Sequence, residues 1–104
     1  PGYYSVKGRK KQLRRMEDVA ADMLDEFVTE ARKAHPERHK LADAETLLVV
    51  GLPVTRILET AAKINARMIV MGSQGRTGLD HLLLGSKTEQ VVRLSPIDVT
   101  VVKK

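Results

Sequence analysis

Cysteine is missing from these 104 residues, which excludes disulfides and thiolate metal sites. Aromatic residues are almost missing: Tyr3, Tyr4 and Phe27 are the whole set. A nucleic-acid reader that stacks bases on aromatic platforms is therefore not expected, and nucleic acid is not taken as the partner. Long hydrophobic runs are missing too, since stretches such as "TLLVVGLPV" are far too short to span a bilayer. No signal-peptide pattern opens the sequence, so the expectation is an intracellular, cytoplasmic protein with no membrane partner. The length suits one small domain. With 42% apolar and 30% charged residues, the balance is that of a globular protein.

The net charge of +5 is unevenly placed. "KGRKKQLRR", residues 7–15, packs six basic residues into nine. Such a run can attract nucleic acid or an acidic membrane surface. The plainer reading is a solvated loop running into the first turn of a helix. Cations near a helix N-terminus oppose the macrodipole, so the run does not stabilise that helix.

From Leu13 to about Ala34, apolar residues recur at steps of three and four: Leu13, Met16, Ala20, Met23, Leu24, Phe27 and Ala31. Asp18, Asp22, Asp25, Glu26 and Lys33 take the other side, which predicts an amphipathic helix. Pro36 ends it. His35 and His39 stand four apart, but Pro36 between them argues against a helical metal pair, and surface histidines are expected.

"AETLLVVG" then reads as a strand buried on both faces. "LPVTRILETAAKINA" reads as a helix with Pro53 near its start, and "RMIVMG" as a second short strand. "SKTEQVVRL" is a helix broken at Pro96, and "IDVTVV" is a final strand. Strands alternating with helices at this spacing mean crossover connections, a parallel sheet and helices on its faces, an α/β fold.

The glycines of "MGSQGRTGLDHLLLGSKTEQVV", residues 71–92, lie after a strand and before a helix, where open α/β sheets bind ligands. Backbone N–H groups and a positive helix end form an anion cradle there. Gly72, Gly75 and Gly85 would let the backbone approach a ligand, Ser86 and Thr88 offer hydroxyls, and Lys87 and Arg76 add positive charge. Neither the P-loop nor the dinucleotide spacing is matched. Ser86-x-x-Glu89 also has the form of a capping box, which by itself accounts for the serine. Capping and anion binding remain compatible, since a cap leaves other N–H groups open. His81 and Asp80 lie within the segment, yet no set of residues suited to fast chemistry is visible.

The spacing Gly72-x2-Gly75-x9-Gly85-Ser86 resembles that of the nucleotide-binding branch of the universal stress protein family, and the resemblance extends over about the whole chain. It implies a flavodoxin-like, Rossmann-like α/β fold, a stress-response role and ATP as a regulatory ligand, with or without Mg2+ and with weak hydrolysis at most. It further implies that Gly72, Gly75, Gly85, Ser86, Lys87 and Thr88 surround phosphates and ribose, and that Met71 lies beside the nucleoside. A homodimer through the C-terminal strand is the partner it implies. Relative to the family, the first strand, helix and strand are not represented, so the domain reads as N-terminally truncated. In the family's order, 3-2-1-4-5, the unrepresented strands belong between "TLLVVG" and "RMIVMG". A protein-interaction module of the same fold without nucleotide is the alternative.

Overall fold

A computed structural model describes residues 6–74 and 84–103, with side chains from Leu13 onward. The chain divides into two compact units, 1–48 and 49–104.

The first unit is built on α1 (Val6–Ala34). The helix includes the basic run, which the sequence reading placed largely in a loop. Lys and Arg are good helix formers, and nothing between Val6 and Ala34 breaks the turn-to-turn bonding. It stops where expected: His35 N–H still donates to Ala31 O at 3.1 Å, but Pro36 has no N–H to continue the series. A single turn, α2 (His39–Ala42), follows within the stretch read as plain linker. Arg32 of α1 holds it, donating from Nε to Leu41 O at 3.1 Å and from Nη2 to Ala44 O at 2.9 Å. His35 and His39 are exposed, and the described residues contain no cluster of three metal-binding side chains.

"AETLLVVG" is not a strand. A strand exists only through a ladder with a neighbour, and among the described residues these backbone groups have no ladder partner. Leu47, Leu48, Val49 and Val50 are accordingly exposed rather than buried on both faces.

The second unit begins with a sharp bend at Gly51, whose φ is +140°. Arg56 closes this bend by donating from Nε to Val50 O at 2.9 Å. A Cβ on Gly51 would crowd the Arg56 side chain, which can shift, so it is the backbone conformation that favours glycine at this position. α3 (Pro53–Lys63) starts with Pro53 in its first turn. It ends in a Schellman motif: Asn65 takes the left-handed conformation at φ 54°, and Ala66 N–H donates to Ala61 O at 2.9 Å.

β1 (Met68–Gly72), α4 (Ser86–Leu94) and β2 (Asp98–Val102) complete the unit. β1 and β2 pair in parallel, with Ile69 opposite Val99 and Met71 opposite Val101. The fold is thus α/β with a parallel sheet, as the alternation of elements predicts. The two strands expected to be adjacent, the fourth and fifth of the family order, are adjacent. Both strands alternate exposed and half-buried residues. Ile69, Met71, Val99 and Val101 are half-buried, while Met68, Val70 and Val102 are exposed. Val54 of α3 and Val91 of α4 are buried, Val91 completely. Among the described residues, no helix is long and apolar enough to cross a membrane.

Candidate nucleotide site at the end of the first strand

β1 leads straight into the site. Beyond Gly72, Ser73 N–H donates to Val102 O at 2.9 Å, extending the ladder by one residue. Ser73 O then accepts from Gly85 N–H at 2.7 Å, so the chain leaving β1 and the chain entering α4 are tied side by side. A second tie lies next to it: Thr88 Oγ1 donates to Gly72 O at 2.8 Å. Thr88 is only 4% exposed and Ser73 only 7%. These bonds hold the first turn of α4 against the carboxyl end of β1.

The start of α4 differs from the capping box read in the sequence. Gly85, with φ −59° and ψ 150°, is the N-cap, and no side chain caps the helix. Ser86 is therefore the first helical residue and Glu89 the fourth, one step too far for the reciprocal bonds of a box. The reason is tertiary. Ser73 O fixes the Gly85 N–H, and Gly85 O takes the first intrahelical bond, from Glu89 N–H at 3.0 Å. Glu89 turns instead to Arg93, whose Nη2 donates to its Oε1 at 3.2 Å.

Among the described residues, the N–H groups of Ser86, Lys87 and Thr88 thus have neither an intrahelical acceptor nor a side-chain cap. Their dipoles add to the positive end of the helix. Ser86 and Lys87 are exposed and Gly85 is half-buried. Gly72 has no unusual φ, and among the described residues a Cβ there would meet only Gln74 O, at an ordinary 3.5 Å. Neither conformation nor local space demands glycine at this position, whereas conformation favours it at Gly51.

The structure brings Gly72, Gly85, Ser86, Lys87 and Thr88 together, with Met71 in the last turn of strand before them. Met71 is half-buried in β1. Thr88 is placed at the site, but its hydroxyl proton is directed at Gly72 O. Gly75 lies outside the described residues, as do Arg76, Asp80 and His81. Ser73 is the residue that sequence reasoning missed. Its backbone N–H and C=O join β2, β1 and α4, and a serine after a strand carries no signal of that.

The chain matches the model of the Universal stress protein family over residues 3–103. It is 35% identical to Universal stress protein MJ0577 of Methanocaldococcus jannaschii over 95% of its own length and 62% of that protein's. It is 46% identical to Universal stress protein MJ0531 of the same organism, over 57% of this chain and 35% of the relative. Stress response protein NhaX of Bacillus subtilis is 37% identical over 82% of this chain and 50% of its own length. The chain thus spans about a third to three-fifths of these relatives. No solved structure matches it.

Proposed function

We propose a nucleotide-responsive role from a plain premise: the chain belongs to the universal stress protein family. The observation that carries the proposal is the uncapped start of α4, held beside Gly72 by Ser73 and Thr88. Three N–H groups with no acceptor among the described residues suit the oxygens of a phosphate. The Ser86 hydroxyl and the exposed Lys87 ammonium supply further donors. At Gly72, the missing side chain leaves room for a ligand to lie close to the backbone, with Met71 next to it in the strand.

The ligand is an adenine nucleotide, ATP in the first instance, and it acts as a regulatory signal in a stress response. Gly75 belongs to the same set through the spacing of its motif. The described residues offer no acidic cluster for a divalent cation, so Mg2+ would be held chiefly by phosphate oxygens and water. No residue of the described site is arranged as a base or nucleophile, so the nucleotide is read as bound rather than turned over.

The test is Gly72→Val. The branched side chain is a good strand residue, so the variant keeps its helical and sheet signal by circular dichroism. Its affinity for ATP, read by calorimetry, should fall at least about tenfold, because a desolvated donor set without its ligand contact loses more than 1.4 kcal/mol. Unchanged affinity in a folded variant would overturn the proposal.

A second reading, association through β2, rests on the open side of that strand. Ser73 N–H donates to Val102 O, so the N–H groups of Val102 and Thr100 face β1, and those of Val99 and Val101 face outward. Val101→Pro removes one outward donor while sparing the β1 ladder. If β2 is the dimer strand, this variant sediments as a monomer and still binds ATP.

A further inference from the structure

α4 carries an anion of its own in its first turn. Glu89 stands there, three residues after Ser86, whose N–H is one of the three without an acceptor among the described residues. In a capping box the glutamate reaches back three residues to an open N–H. Helical side chains lean toward the N-terminus, so the same spacing would carry the Glu89 carboxylate over Ser86 N–H. The positive end of the helix draws an anion to that place. Phosphate and Glu89 therefore suit the same donors.

In the structure Glu89 is turned the other way. Arg93, one turn further along, donates from Nη2 to Glu89 Oε1 at 3.2 Å. A glutamate four residues before an arginine is the favoured order for such a pair on a helix. Both side chains are exposed, so the pair is weak and screened by salt. The bond it displaces, from a solvated carboxylate to a helix-end N–H, is weak as well. Both residues belong to one helix of the second unit, so the contact depends on no other element.

We infer that Arg93 is a positioning residue for the phosphate site: it holds the Glu89 carboxylate along α4 and so keeps the chain's own anion off Ser86 N–H. The inference rests on the reading of the α4 start as that site. Without Arg93 the carboxylate folds back, occupies a donor that the phosphate needs, and repels the phosphate besides. Arg93 itself stands roughly 10 Å from Ser86 along the helix axis, so it acts through Glu89. The affinity for nucleotide is thus set in part by the direction in which one carboxylate is held.

Two measurements on the full chain test this with Arg93→Ala, Glu89→Ala and the double variant, each of which places the best helix former in the helix. Without nucleotide, nitrogen-15 NMR reads the Ser86 amide. Its signal should shift in Arg93→Ala, where the carboxylate folds back, and should return in the double variant to its position in Glu89→Ala. With ATP at low salt, calorimetry should give an affinity about two- to threefold weaker for Arg93→Ala. The double variant should match Glu89→Ala, because nothing is left to restrain. Arg93→Lys should restore most of the affinity. A Ser86 amide that stays in place in Arg93→Ala overturns the inference. So does equal weakening by Arg93→Ala with and without Glu89, which would mean that the arginine attracts the phosphates directly. A chain that binds no ATP overturns the nucleotide reading alone, and the Ser86 amide then decides whether Arg93 restrains Glu89.

Discussion

Thr88 has a hydroxyl that sequence spacing points at a ligand and that the fold uses to hold Gly72. At 4% exposure, and donating at 2.8 Å, it fastens α4 to β1. Thr88→Val keeps the shape and removes the donor. Leaving Gly72 O without that bond should cost about 1–2 kcal/mol in a urea titration. The same change should weaken ATP binding severalfold, because the helix start is no longer fixed beside the strand. Thr88→Ser should restore most of both. Loss of stability with unchanged affinity would mean that the tie does not serve the site. The capping box at Ser86 was legible as a pattern, but which residue becomes the cap was not. Gly85 takes that place because its N–H is already bound to Ser73 O, twelve residues back in the chain, and no local pattern encodes that partner.

Helix ends decided by local chemistry were the legible elements. Pro36 and Pro96 stop α1 and α4 within two residues of where the sequence places them, and Pro53 opens α3. Strands were legible only where a neighbour exists. "RMIVMG" and "IDVTVV" pair with each other, whereas "AETLLVVG", with an equally strong apolar pattern, has no ladder partner among the described residues and is no strand. Pairing is a property of two segments, and a single-segment pattern cannot report it. α2 was missed because four residues are too few to show a period, and it is held by Arg32 from α1. At the far end of α3, Asn65 supports a prediction of its own. Its φ of 54° is tolerated by Asn and favoured by Gly. Asn65→Gly should leave stability unchanged or raise it by a few tenths of a kcal/mol, and Asn65→Val should lower it by about 1–2 kcal/mol. Thermal denaturation of the two variants reads the difference, and equal midpoints would contradict the C-cap assignment.

At the scale of the whole chain, few apolar residues among those described are buried. Val54 and Val91 are the buried apolar residues among those described, and both lie in the second unit, where Met68, Val70 and Val102 of the strands are exposed. The chain covers about a third to three-fifths of its relatives, and the start of α4 beside Gly72 is the part of it on which the proposed function rests. The layout of the candidate site was half legible. Its position after a strand, and the residues Gly72, Gly85, Ser86 and Lys87, followed from spacing, but the absence of a side-chain cap and the role of Ser73 required the fold. The most direct measurement is a nitrogen-15 NMR titration of the chain with ATP, with adenosine as the control. The account predicts that the backbone amides of Ser86, Lys87 and Thr88 shift with ATP and not with adenosine, since they meet the phosphates. Amides at the start of α4 that stay unmoved at saturating ATP, or that move equally with adenosine, would contradict it.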